Sequence, residues 1–316
     1  MGKNHARIYF EYPNVKLVSI CDINKEQTDE LAKKYNCKAY YNLDEMLNTE
    51  KLDGVSICVP TLLHKEVVKK VAQKKINILL EKPAANNVKD AEEIRAVVKQ
   101  NNVICVVGHI ERYNPAVRKA IDLVFKGELG KLFYINAVRE GPYPPGTVDV
   151  DVLTDLGIHD LEIINYILSN LNDYVKYHNI EGHNFLNKRD YDIVRVIMKS
   201  KENVIITLST DRLSPTKIRQ LYICGKKGLL KLDYITQKLT FFKNGIHKPD
   251  YEYNEILKGV SVGEEILVDV DIKEPLFVEI DNFIKCLDGK EKPYVTLDNA
   301  IEGIRLLEEI KKDFKY

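Results

Sequence analysis

The chain is 316 residues long, with 47 basic residues set against 47 acidic ones and 45% hydrophobic content. That length accommodates two domains, each able to bury a core of its own. A balanced charge supplies no global field to draw nucleic acid or an anionic membrane surface, so any anionic ligand has to be met by a local cationic site. Six cysteines, Cys21, Cys37, Cys58, Cys105, Cys224 and Cys286, are scattered without Cys-x-x-Cys or zinc-ligand spacing. They read as small buried hydrophobes of a reducing compartment, with no metal site among them. No stretch reaches the ~18 apolar residues of a membrane span and no signal peptide stands at the start, so the expected location is the cytoplasm.

In chain order, a helix-like run at 3–10 leads into a strand-like run at 16–21 that stops at Asp22. Amphipathic segments at 25–35, 43–48, 63–73 and 88–100 then alternate with the short runs KAYY, GVSICV, INILL and VICVV. Several of these runs are apolar throughout, as strands covered by helices on both faces must be. The alternation predicts a doubly wound α/β domain over 1–108. Past Gly108 the rhythm changes. Helical stretches at 115–126 and 157–169 precede YDIVRVIMK, NVIITLST, KIRQLYIC, GLLKLDYI and KLTFFKN, and helices at 274–287 and 298–313 close the chain. The second domain, 109–316, is therefore expected to be α+β, with a large, mainly antiparallel, open-faced sheet that binds substrate and pairs subunits.

The opening of the chain raises its own expectation. A dinucleotide fold sets a Gly-x-Gly-x-x-Gly turn between its first strand and helix, with an acidic residue ~20 positions on for the adenosine ribose. Gly2 and Asp22 fit the third glycine and that acid, so the first strand and first two glycines are expected upstream of Met1, with a native start roughly ten residues earlier. A carboxylate at a strand end accepts ribose hydroxyls and repels a 2′-phosphate, which favours NAD over NADP, although Lys25 lies close enough to blur the choice.

Three stretches carry candidate chemistry. LLEKPAA places Glu81, Lys82 and Pro83 directly after a buried strand, at the sheet edge where ligands bind. The ammonium there is suited to steadying an alkoxide, and Pro83 to fixing the turn, through a cis bond if one forms. TDLGIHDLEI holds Asp155 and His159 four apart, a spacing that puts both on one helix face and lets the acid orient an imidazole base. Asp160 and Glu162 read as solvated face residues or substrate contacts. GHIERYNPAV packs polar and turn-forming residues into a domain junction, with Arg112 and Tyr113 as candidates for lining a cleft.

With GVSICVPTLLHKEVV, the Gly225 to Gly228 turn and EPLFVEIDNFIKCL, these stretches resemble the family of glucose-fructose oxidoreductase, inositol dehydrogenase and rhizopine-catabolism proteins, which are NAD(P)-dependent oxidoreductases with a Rossmann domain. GHIERYNPAV and LSPTKIRQLYICGKKGLLKLDYITQ look most like its nucleotide-sugar branch, which oxidises the C3 hydroxyl of UDP-N-acetylglucosamine. The resemblance implies that Lys82, Asp155 and His159 are catalytic and serve one alcohol. It further implies that Gly2, Asp22, Pro60, Thr61, His64, Glu81 and Pro83 line the cofactor, and that the enzyme is a homodimer or homotetramer. Glu162 stands where the family has Asp. Lys217 and Arg219, alternating on a predicted strand after Pro215, are candidates for the substrate's diphosphate. The alternatives are oxidation of a free sugar or inositol, and a sensor that binds cofactor without chemistry.

Overall fold

A computed structural model describes residues 1–144, 151–186, 190–245 and 263–314. The chain divides into two compact units, Met1–Tyr113 with Glu274–Arg305, and Asn114–Lys273 with Leu306–Tyr316. No helix among the described residues is long and apolar enough to cross a membrane.

The first unit opens with α1 (Gly2–Glu11), followed by β1 (Ser19–Cys21), α2 (Lys25–Lys34), β2 (Lys38–Tyr40), α3 (Leu43–Thr49) and β3 (Gly54–Ile57). Next come α4 (His64–Gln73), β4 (Asn77–Glu81), α5 (Val88–Asn101) and β5 (Cys105–Gly108). Asparagine starts three of these helices: Asn24, Asn42 and Asn87 each accept the backbone N–H three residues on, satisfying a donor that the helix leaves orphaned. The parallel ladder is in two pieces, β1 with β2, and β3-β4-β5 with β4 in the middle. Leu79 and Leu80 of β4 are sealed in the core with Ile57, Val68 and Val106.

α8 (Pro275–Leu287) and the start of α9 (Leu297–Lys311) belong to this unit as well. The break expected at 108 falls after Tyr113, and Glu274–Arg305 leaves the second domain in which the sequence had placed it. The cause is packing. Phe283 of α8 sits so close to β3 that a Cβ on Gly54 would lie 2.8 Å from its ring, and Phe277 stacks on Tyr12 with centroids 5.6 Å apart.

The second unit holds α6 (Pro115–Phe125), β6 (Leu132–Glu140), α7 (Ile158–Asn170), β7 (Val175–His183), β8 (Ile193–Ser200) and β9 (Ile205–Asp211). It continues with β10 (Ile218–Gly225), β11 (Gly228–Asp233), β12 (Lys238–Lys243) and β13 (Glu265–Val268). The eight strands run in the order β13-β12-β11-β10-β6-β9-β8-β7, antiparallel throughout except for β6 and β9. Burial alternates with period two, as a sheet covered on one side requires. Val194, Val196 and Met198 are buried in the core cluster that also holds residues of α6 and α7, while Ile197, Ile205 and Tyr134 remain 53%, 43% and 39% exposed. The open-faced sheet is thus as expected.

Candidate active site

The Glu81-Lys82-Pro83 turn follows β4, whose carboxyl end lies level with Gly108 of β5. The Lys82–Pro83 bond is cis, as anticipated. Glu81 is buried, and both its oxygens are occupied: Oε1 meets His5 Nε2 at 3.0 Å and Oε2 accepts the Lys82 backbone N–H at 3.1 Å. The chain continues from His5 Nδ1 to Ser56 Oγ at 3.1 Å, and from there to Tyr9 Oη at 2.8 Å. A desolvated carboxylate is tolerable only when so bonded. Its partners therefore fix the turn from which the half-buried Lys82 projects. Sequence reading missed His5, Ser56 and Tyr9; the one available signal was a histidine and a tyrosine four residues apart on the apolar face of α1.

The surroundings are protonated rather than charged. Burial, with Glu81 nearby, pushes the Cys58 thiol up to about 12, and Tyr9 is pushed up by burial as well. Glu279, 1% exposed and without a hydrogen-bond partner among the described residues, is raised well above the usual carboxyl range by burial and then by Glu81. His5, Cys58 and Glu81 offer ligand atoms within 4.8 Å of one another, a set that could hold a metal ion, but here His5 Nε2 and Glu81 Oε1 are spent on each other.

The residues expected to hold a dinucleotide lie at the carboxyl ends of these same strands. Gly2 starts α1, whose first turn has no side-chain cap and no acidic residue, leaving its N–H dipoles suited to an anion. Asp22, just past β1, is exposed, and its Oδ1 accepts the Asn24 N–H at 2.9 Å. Lys25 lies 5.3 Å from the Tyr41 ring centroid, which gives that cation another occupation. Pro60 and Thr61 lead a short 3₁₀ turn, Thr61–Leu63. His64, by contrast, is 1% exposed, with Nε2 at 3.0 Å from the Val59 carbonyl and Nδ1 at 3.2 Å from that of Ala84. Burial lowers its basicity, so the ring carries one N–H and serves one carbonyl at a time. It is a strut between the Pro60 and Pro83 loops. The set fits a dinucleotide: a carboxylate for the ribose, a bare helix end for phosphate and a lysine beside the strand ends.

Arg112 and Tyr113, expected to line a cleft, are instead 5% and 0% exposed within the first unit. The Ile110–Tyr113 turn folds them inward, where Arg112 Nη2 donates to the Tyr294 carbonyl at 3.0 Å and the two tyrosine rings stack. His109, the residue after β5, is also sealed, and burial, then Lys82 and Arg112, lower its pKa to about 3.

In the second unit, Asp155 lies within a π-helical turn, Leu153–Gly157, where Ile158 N–H reaches back to the Leu153 carbonyl. Such turns insert one residue into a helix and cluster at functional sites. The turn runs into α7, which carries His159. Asp151 caps its start, accepting from Thr154 N at 2.9 Å and Thr154 Oγ1 at 2.7 Å, with Lys311 Nζ 2.7 Å away. Asp155 Oδ2 is bound by Arg212 Nη2 at 3.0 Å, a residue that sequence reading did not single out. Asp160 and Glu162 are buried, not solvated. Asp160 takes two guanidinium nitrogens of Arg139 and the Tyr234 hydroxyl, so it locks α7 onto the sheet. β10 begins one residue after the exposed Lys217, and Arg219 Nη1 donates to the Glu140 carbonyl at 2.7 Å.

Residues 1–109 match the family described as "Oxidoreductase family, NAD-binding Rossmann fold", and residues 123–315 match "Oxidoreductase family, C-terminal alpha/beta domain". The chain belongs to the GFO/IDH/MocA oxidoreductase family. This GFO/IDH/MocA chain is 24% identical to the UDP-N-acetylglucosamine 3-dehydrogenase of Acidithiobacillus ferrooxidans, over 97% of its own length and 91% of the relative's. A solved structure of UDP-N-acetylglucosamine 3-dehydrogenase from that organism matches with a TM-score of 0.85 at 21% identity, covering 98% of this chain and 93% of that one. The scyllo-inositol dehydrogenase of Lactobacillus casei, solved with NAD(H) and scyllo-inositol, matches with a TM-score of 0.79 at 16% identity, covering 99% and 93%.

Proposed function

We propose that this protein is an NAD-dependent dehydrogenase that oxidises a ring hydroxyl of a sugar to a ketone, with C3 of UDP-N-acetylglucosamine as the favoured position. The observation that carries the reading is Lys82 at the carboxyl end of the middle strand of a β3-β4-β5 ladder, on a turn pinned through both oxygens of Glu81. NAD, held by Asp22 and the first turn of α1, would supply the hydride acceptor. His159 takes the hydroxyl proton, Asp155 orients His159 or the sugar, and the Lys82 ammonium stabilises the oxygen as its negative charge develops. Asp22 supports NAD over NADP, because its carboxylate repels a 2′-phosphate.

The nucleotide-sugar branch is supported by the full-length relative and by local cations. Gly141 lies near both Lys217 and Arg219. Arg219→Ala is expected to weaken uridine diphosphate binding about tenfold in isothermal titration, the value of a charge-assisted contact. Unchanged affinity would remove Arg219 from the diphosphate site. The partly exposed apolar face around Tyr134, Ile197 and Ile205 supports pairing of sheets in a homodimer or homotetramer.

A panel of nucleotide sugars, free sugars and inositols, followed by NADH absorbance, tests the reading. NADH formed with UDP-N-acetylglucosamine is the expected result. NADH formed only with a free sugar or inositol moves the substrate class, and cofactor binding with no NADH from any member makes the protein a sensor.

A further inference from the structure

We propose that Arg212 is a positioning residue, one that holds the Asp155 carboxylate in a single orientation beside His159's helix; this rests on the role given to Asp155 above. The pair is asymmetric. Arg212 is 2% exposed, whereas the Asp155 side chain is 37% exposed. The backbone of Arg212 is fixed too, its N–H donating to the Asp192 carbonyl at 2.9 Å. A buried guanidinium gives up a counter-charge only at large cost, so the arginine dictates where the carboxylate stands.

Sheet register shows what the contact does. Arg139 pairs with Thr210 across β6 and β9, and Arg212 stands two residues beyond Thr210, on the same helix-covered face. The parallel β6–β9 pair and the residue just past it thus deliver two guanidinium groups to one stretch of helix: Arg139 to Asp160 and Arg212 to Asp155. The contacts fall on either side of the junction between the π-turn and α7. A π-turn is wider than an α-turn and sets its own rotation less firmly, so two ion pairs five residues apart fix it. Of the three aspartates here, Asp151 and Asp160 are buried and serve the fold, while Asp155 is the part-exposed one.

The test compares Arg212→Met and Arg212→Lys with Asp155→Asn in the full chain, on whichever substrate the wild type oxidises. Arg212→Met is expected to lower kcat about 100-fold with little change in the KM for NAD, as for a catalytic group displaced by about 1 Å. Added methylguanidine should restore a large part of kcat, and Arg212→Met should cost nothing further in the Asp155→Asn background. A folded Arg212→Met with wild-type kcat, or losses that simply add in the double variant, overturns the proposal. Arg212→Lys keeps the charge and guards against a variant that fails to fold; wild-type kcat in Arg212→Lys, with the ¹³C carboxyl resonance of Asp155 unmoved, overturns it as well. That resonance needs no substrate, so an inactive wild type defeats the dehydrogenase reading and leaves this one still decided.

Discussion

Lys82→Met is expected to lower turnover about 10³-fold while NAD binds as before, because it removes the ammonium proposed to stabilise the negative charge that develops on the oxygen. Methionine keeps the length and packing of the lysine stem, so the change is confined to charge and hydrogen bonding. The turn should survive, since its anchors are His5 on Glu81 Oε1 and the backbone N–H of residue 82 on Oε2, neither of which uses the lysine side chain. Steady-state NADH formation and a fluorescence titration of NADH, measured on the same preparation, separate the two effects. Turnover within tenfold of wild type would take Lys82 out of the mechanism. Loss of NADH binding would mean that the turn itself had collapsed.

A second large effect concerns acid. His109 is fully enclosed, and burial, reinforced by Lys82 and Arg112, sets its folded pKa at about 3, against ~6.5 for an unfolded histidine. Between those values the unfolded chain binds a proton that the folded chain does not, so stability falls as pH falls from 6.5 toward 3 and is present in full above 6.5. From pH 7 to pH 5 this group alone costs about 2 kcal/mol. Because the ring nitrogens have no hydrogen-bond partner among the described residues, His109→Phe forfeits no bond there and removes the titration. Unfolding free energies from urea titrations at the two pH values should differ by that much less in the variant than in wild type. An equal drop in both proteins would show that His109 is not the group that titrates.

Much of the fold was legible because local signals agreed with one another. The amphipathic runs at 25–35, 43–48 and 88–100 became α2, α3 and α5, and the apolar run INILL became the buried β4. The alternating runs after residue 190 became an open-faced sheet for the same reason. What stayed hidden joins residues distant in the chain. His5 finds Glu81 and Arg212 finds Asp155 across separations of 76 and 57 positions, and no period reports such pairs. Arg112 and Tyr113 misled because a dense polar stretch resembles cleft lining, whereas a 3₁₀ turn tucked both beneath Tyr294. The return of α8 to the first unit escaped because an amphipathic helix does not state which apolar surface it will cover.

The widened turn between Leu153 and Ile158 makes the number of residues there matter as much as their kind. Removing one of residues 156–158 would return the stretch to an ordinary α-helix and leave the Asp155 and His159 side chains three positions apart instead of four. The spacing of the pair would change although every amino acid named in the motif was still present. Side-chain size is restricted there too, since a Cβ at Gly157 would come within 2.6 Å of Leu153 Cδ1.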